Sequence, residues 1–306
     1  MKKTSLYTVS TLLIVTLVLL IIPFKRQKKY EATIDCSTDA VTRLMVNTKE
    51  WKKWWPDQIL NDSIVLLNDT RFYVQTVLLN GFYAVSDNKK TAIEVQFVPD
   101  LKNQTKFVVI GTQVYSSNPL KRIAQLFGSN GQQNAKQLLS SLQNFFSRTE
   151  NVYGFKIEKT KVSLLNWMSA KKLFAQQPTT QEIYAVIEGL EKYILAHNGE
   201  IIGAPIMHIR DLAPNQLELM TALPVTETVQ PNEQYSVKQM VPGFMIIGKV
   251  KGGPTTVENA EASLENYIRD YRKQSPAIPF QTLITDRRKE ADSSQWITQV
   301  NYPVFD

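Results

Sequence analysis

One segment of this chain is written twice. Pro178-Thr179-Thr180-Gln181-Glu182 recurs 76 residues later as Pro254-Thr255-Thr256-Val257-Glu258. Leu190-Glu191-Lys192-Tyr193-Ile194 recurs 74 residues later as Leu264-Glu265-Asn266-Tyr267-Ile268, and Leu223-Pro224-Val225 answers Tyr302-Pro303-Val304. Matches in one order at nearly one offset imply two copies of a single supersecondary unit. Thr179 with Glu182, and Thr255 with Glu258, have the T-x-x-E form of a capping box and predict two helix starts. Behind them run apolar stripes, Ile183, Ile187, Leu190 and Ile194 in the first copy and Val257, Ala260, Leu264, Ile268 and Tyr271 in the second. Strand-like runs at 162–175 and 234–250 precede these helices. Further runs follow them, at 204–210 and 216–225, then at 280–285 and 295–305. The predicted unit is strand–helix–strand–strand, twice. A pseudo-twofold relation between the copies would open a cleft along their junction.

Two stretches of the second copy, VPGFMIIGKVKGGPTTVENAEASLENYIRDY and WITQVNYPV, resemble the GyrI-like, or bacterial transcription activator effector-binding, domain. The resemblance covers about residues 155–306. It implies a groove between the repeats that takes small molecules, often hydrophobic and cationic; some relatives hydrolyse small strained-ring compounds with an acidic residue and aromatic neighbours. Where relatives commonly carry a glutamate in the closing strand, four residues before the Pro of Pro-Val, this chain has Gln299, and Met220 holds the equivalent place in the first copy. A glutamine can neither serve as a carboxylate base nor balance a buried cation. Glu218, two residues before Met220, would face the same side of its strand. The expected ligand contacts are therefore Trp167 and Phe244 in the opening strands, Trp296, Gln299 and Tyr302 in the closing strand, and Glu218 as a polar partner. For each aromatic, core packing is the competing reading. No catalytic residue, metal ligand or cofactor site is expected.

The remainder of the chain carries a second pattern. Residues 30–36 form a strand-like run, and Ser37-Thr38-Asp39 suits a helix N-cap. A helical pattern from Ala40 to Trp55 includes Trp51, Trp54 and Trp55 and stops at Pro56. Five strand-like runs follow between Ser63 and Tyr115, and Leu138, Leu139, Leu142, Phe145 and Phe146 then recur at helical spacing. The opening YEATIDCSTDAV, the WKKWWPD segment and the closing helix through Glu150 resemble the START-like (SRPBCC, polyketide-cyclase-like) superfamily over roughly residues 30–154. That implies a curved sheet gripping a long helix around an apolar cavity. Packing in the core is the competing role for the three tryptophans.

The formal charge of +7 suggests nucleic acid until it is located. Lys2, Lys3, Lys25, Arg26, Lys28 and Lys29 fall within residues 1–30, where there is no acid, and the rest of the chain is nearly neutral. They bracket the uncharged run from Ser5 to Phe24, whose length at about 1.5 Å per residue matches a bilayer core. A cleaved signal peptide is the alternative, but no A-x-A-like site follows. The expectation is an anchor in residues 1–29, including its basic flank, with the body on the cytoplasmic side of the inner membrane by the excess of bases after the span. The KRQKK cluster would touch anionic lipid.

Other chemistry is sparse. Cys36 is the one cysteine, and His197 and His208 are the two histidines. His197 fits a helix C-cap neighbour and His208 a packed strand residue. The DRRKE run at 286–290 reads as a solvated hairpin tip. No P-loop, dinucleotide fingerprint, HExxH or helix-turn-helix is present, so nucleic acid is not an expected partner. These features define an α+β chain: a transmembrane helix, a START-like helix-grip domain and a GyrI-like double repeat. The function expected is non-enzymatic binding of a small apolar or aromatic ligand at the membrane. A GyrI-like hydrolase and a structural adaptor are the alternatives.

Overall fold

The computed structural model describes residues 24–118, 122, 130–163, 165–226, 229–240 and 242–305. It is a mixed α+β structure with two antiparallel sheets, in two compact units divided in the chain between Arg148 and Thr149. Among the described residues no helix is long and apolar enough to cross a membrane. Of the expected span, residues 5–24, only Phe24 lies within the described residues.

The first unit opens with β1 (Lys25–Ile34) and α1 (Thr38–Val46). It continues through β2 (Ile59–Asn61), β3 (Ile64–Leu67), β4 (Thr70–Leu78), β5 (Gly81–Ser86), β6 (Thr91–Pro99) and β7 (Thr105–Val114), and closes with α2 (Asn130–Phe146). The sheet order is β1-β7-β6-β5-β4-β3-β2, a meander whose last strand pairs with the first. Helix α2 lies over β7, β1 and β6. Its close approach needs glycine: a Cβ on Gly111 of β7 would stand 2.5 Å from the Gly131 carbonyl oxygen.

Two expectations change in this unit. The basic flank is part of β1, paired along β7 from Lys25↔Val114 to Ile34↔Thr105. The ten-residue β7 offers partners that the backbone of residues 25–29 would otherwise lack, and exposed lysines are well tolerated on an edge strand. The predicted helix through Trp55 instead ends at Val46. Asn47 leaves helical geometry, and its side chain accepts from the Lys49 amide to start a 3-10 turn, Thr48–Lys53. That turn delivers all three tryptophans to the core. Trp51 and Trp55 stack with centroids 5.7 Å apart. Each indole N–H donates to a backbone carbonyl: Trp51 to Met45, Trp54 to Leu44 and Trp55 to Leu66. Buried indoles satisfied this way are packing elements.

The second unit starts with α3 (Thr149–Tyr153), whose Tyr153 hydroxyl donates to Asp270 Oδ2 at 2.9 Å. The first repeat comprises β9 (Leu165–Phe174), α4 (Thr180–Ala196), β10 (Ile206–Ala213) and β11 (Gln216–Val225). The second comprises β13 (Gly243–Lys251), α5 (Pro254–Asp270), β14 (Phe280–Leu283) and β15 (Ile297–Val304). The run expected at 234–250 is broken into β12 (Tyr235–Met240) and β13, while the run expected at 162–175 is the single strand β9, with a further strand, β8 (Ile157–Val162), before it. These outer strands are exchanged, since β8 pairs with β13 of the second repeat and β12 with β9 of the first. The sheet runs β12-β9-β11-β10-β14-β15-β13-β8, each half mirroring the other about the central β10–β14 pair.

The register sets the equivalence of the opening strands. Trp167 pairs with Pro224, and Met245 pairs with Pro303. The repeat counterpart of Trp167 is therefore Met245. Met168 and Ile246 are equivalent and pack under α4 and α5 respectively, with Leu190 and Leu264 at matching helix positions. Leu190→Ala and Leu264→Ala should each destabilise this unit by about 2–5 kcal/mol through lost burial and a residual cavity. Denaturant unfolding of the two variants checks whether equivalent positions carry similar weight.

Candidate ligand cleft

Helix α4 starts as the sequence dictates. The Glu182 amide donates to Thr179 Oγ1 at 3.3 Å, and Glu182 Oε2 accepts from the Thr179 amide at 2.8 Å. Helix α5 does not form its expected box. Pro254 occupies the first turn, Gly253 is the N-cap, and no side chain caps it. Proline suits that position because its missing N–H would have no partner there anyway. The helix thus begins earlier, and Glu258 sits deeper along it than Glu182 does along α4. Its carboxylate is left free of capping and borders a cavity.

Both helices stand on one face of the sheet. Met207 and Gln281 are paired across β10 and β14 and so share a face. Met207 packs with Ile183 and Ile187 of α4, while Gln281 Nε2 donates to Glu261 Oε1 of α5 at 3.0 Å. Between the helices lies a cavity of about 570 Å³. Its floor includes Met207, Ile209, Leu217, Val300 and Tyr302, and Pro178 and Ile183 come from the α4 side. From α5 come Glu258, Glu261 and Glu265, which helical spacing places on one stripe. The cleft therefore has an apolar wall and floor and a carboxylate wall.

These groups do not titrate alike. Burial pushes the Glu261 carboxyl above its ordinary range; the Gln281 hydrogen bond opposes this and the Glu258 charge adds to it. Burial raises the Tyr302 hydroxyl, and the Glu265 charge raises it further, so it remains a donor at neutral pH. His208 alternates with Met207 onto the other face of β10, where burial lowers it against an opposing hydrogen bond to the Pro279 backbone. Arg287 enters from the loop after β14 and is pushed down by burial. Among the described residues no group of three or more His, Cys, Asp or Glu could hold a metal ion.

Of the residues expected to meet a ligand, the cavity takes in Tyr302. Gln299 is on the other face of β15, where its Nε2 donates to Asn301 Oδ1 at 2.7 Å. Trp167 joins Ile206, Ala222, Met245 and Phe280 in an apolar cluster, and its buried Nε1 has no acceptor among the described residues. Glu218 is tied to Lys171 and Arg210 at 3.2 and 2.9 Å. Burial pushes its carboxyl up, but these two cations outweigh that and hold it below the usual range. Phe244 packs at the edge of the α5 core with Lys159 Nζ 3.9 Å from its ring centroid. Trp296 Nε1 donates to the Glu290 carbonyl at 2.8 Å. His197 is the C-cap of α4, with Nδ1 2.8 Å from the Tyr193 carbonyl oxygen.

The sequence reading missed the α5 carboxylates and Arg287. Glu258, Glu261 and Glu265 were legible as a row beside the apolar stripe of α5, but a charged row beside an apolar stripe is the ordinary look of a solvated helix face. Nothing in DRRKE separates Arg287 from Arg288. The expected solvated tip is in fact two differently held arginines. Arg288 is bound outside to Asp286 and Glu191, and Arg287 is folded inward.

No family model matches the sequence, and no curated protein matches it. Solved structures are similar to about half of it. The C-terminal domain of EcmrR is 12% identical, with 49% of this chain and 97% of that one covered at a TM-score of 0.43. SAV2435 bound to tetraphenylphosphonium is 15% identical over 49% of this chain and 93% of that one, at 0.32. A hydrolase encoded by lin2189 from Listeria innocua is 13% identical over 49% and 91%, at 0.37.

The raised carboxyl has a consequence for stability. The folded state holds the Glu261 proton more tightly than the unfolded state, so stability falls as pH rises from the unfolded value of about 4.3 through the folded one. Glu261→Gln keeps an acceptor for Gln281 and removes the charge. It should raise the melting temperature at neutral pH, and the gain should vanish below about pH 4, as read by thermal melts across pH.

Proposed function

We propose that the second unit is a small-molecule binding module whose ligand lies in the cleft between α4 and α5. The observation that carries this is the pairing of an apolar floor with a half-buried carboxylate, Glu261, in a cavity of ligand size. A group with an apolar body and a cationic end satisfies both. Its body lies over Met207, Ile209, Val300 and Tyr302, and its charge offsets the mutual repulsion of Glu258 and Glu261. The Gln299 position, which lacks the carboxylate of the resembled family, does not then decide the charge preference. Helix α5 supplies the negative charge instead, so the ligand is amphipathic rather than neutral.

A hydrolase is the second reading, and one observation favours it. A carboxyl raised by burial in a cleft is a candidate for proton transfer. Turnover of a strained electrophile that is abolished by Glu261→Gln would support it over simple binding.

We read residues 25–146 as a START-like helix-grip domain, supported by the meander, by the return of β7 to β1 and by the long helix over both. We read residues 5–24 as a membrane anchor, supported by their length and lack of charge.

Tetraphenylphosphonium, with a charge independent of pH, is a suitable probe. It should bind best where Glu261 is ionised and weaken as pH falls through the raised value, with a proton released on binding near that value. Glu261→Gln should weaken binding about tenfold or more, measured by calorimetry. Wild-type affinity in both Glu261→Gln and Glu258→Gln would remove the electrostatic basis of the proposal.

A further inference from the structure

The cleft holds a cation as well as carboxylates. Arg287 borders the same cavity. Its Nη2 donates to Thr298 Oγ1 at 3.0 Å, and its guanidinium carbon stands 4.6 Å from the Trp296 ring centroid. It makes no ion pair with any described residue. A guanidinium has five N–H donors, and its side chain spends one of them on Thr298. By contrast Arg288, the next residue, is fully engaged with Asp286, Glu191 and Glu188.

Arg287 is also held in place. Its amide donates to the Tyr184 hydroxyl at 3.0 Å, and that hydroxyl donates to the Thr285 carbonyl at 3.3 Å. Together with the Arg288 ion pairs, these contacts clamp the loop onto α4. The guanidinium is therefore presented on a fixed backbone, stacked on an indole, with donors to spare in a partly desolvated place. The α5 carboxylates make no ion pair with it among the described residues, and the Tyr184 hydroxyl beside it, raised by burial, stays neutral. One cavity thus has an unpaired cation at one place and a raised carboxyl at another.

From this arrangement we infer that the cleft is built for a zwitterion, a small molecule whose cationic nitrogen meets Glu261 and Glu258 and whose carboxylate meets Arg287. A planar carboxylate matches the guanidinium fork, which can donate two parallel hydrogen bonds to it. The inference rests on the cleft being the ligand site and adds the anionic half of the ligand.

A matched series on one scaffold tests it: para-(aminomethyl)benzoate as the zwitterion, para-methylbenzylamine as the cation and para-methylbenzoate as the anion. Each is titrated by calorimetry into the full chain, with detergent present. The zwitterion should bind about tenfold tighter than either singly charged compound, the weight of one charge-assisted pair in a partly desolvated site. In Arg287→Met the zwitterion and the amine should bind alike. Arg287→Lys, which keeps the charge but not the fork, should restore part of the difference and guards against a folding defect in the first variant. If the amine binds as tightly as the zwitterion to the wild-type chain, the inference falls while the cleft reading stands. A preference for the zwitterion that persists in Arg287→Met also overturns it. If none of the three binds, both the inference and the cleft reading are contradicted.

Discussion

The second unit depends on a short stretch of backbone pairing at the centre of its sheet. Ile206 faces Thr282 and Met207 faces Gln281, and these pairs join β10 to β14. Without them the two repeats would be separate half-sheets, each with a helix on one side. With them the sheet is continuous over eight strands, and both helices are forced onto one face. Their apolar stripes bury against their own repeat strands, leaving a trough over the central strands. The cleft follows from symmetry: two amphipathic helices packed on one sheet about a pseudo-twofold cannot also fill the space above the axis.

Symmetry is then broken where function needs it. The repeated motif P-T-T-x-E reaches the two helices in different phase. In α4 Thr179 is the N-cap and Glu182 is consumed by the cap, while in α5 Gly253 is the N-cap and Glu258 is left beside the cavity. Positions equivalent by the 74-residue offset show the same divergence. Tyr184 and Ile187 of α4 correspond to Glu258 and Glu261 of α5. One wall is apolar and holds a loop through Tyr184, and the other is acidic. A duplicated scaffold thereby acquires a polarity that neither copy has alone.

Much of this was legible in the residues. The repeat, both helices, the Thr179–Glu182 box and most strands follow from periodicity and capping chemistry. What was not legible has physical reasons. The exchange of β8 and β12 between the repeats is a long-range pairing, and nothing local encodes it. The phase that pairs Trp167 with Pro224 and Phe244 with Val304 decides which face each aromatic takes, and a period-two pattern with both faces apolar does not fix that phase. Gln299 was expected in the groove by family likeness, but alternation places it opposite Val300 and Tyr302. The helix expected through Trp55 failed at Asn47, whose side chain offers the backbone a local alternative to the helix. Trp51, Trp54 and Trp55 nevertheless took the core role that their size favours.

The central claim is that the ligand lies between the helices, with its charges set by α5 and by Arg287. A crystal structure of the chain with a bound aromatic cation or zwitterion tests it most directly. The account predicts electron density over Met207, Gln281 and Tyr302, with the cationic group nearest Glu261 and any carboxylate on Arg287. Density on the opposite face, around Trp167 and Gln299, with the cleft empty would contradict it.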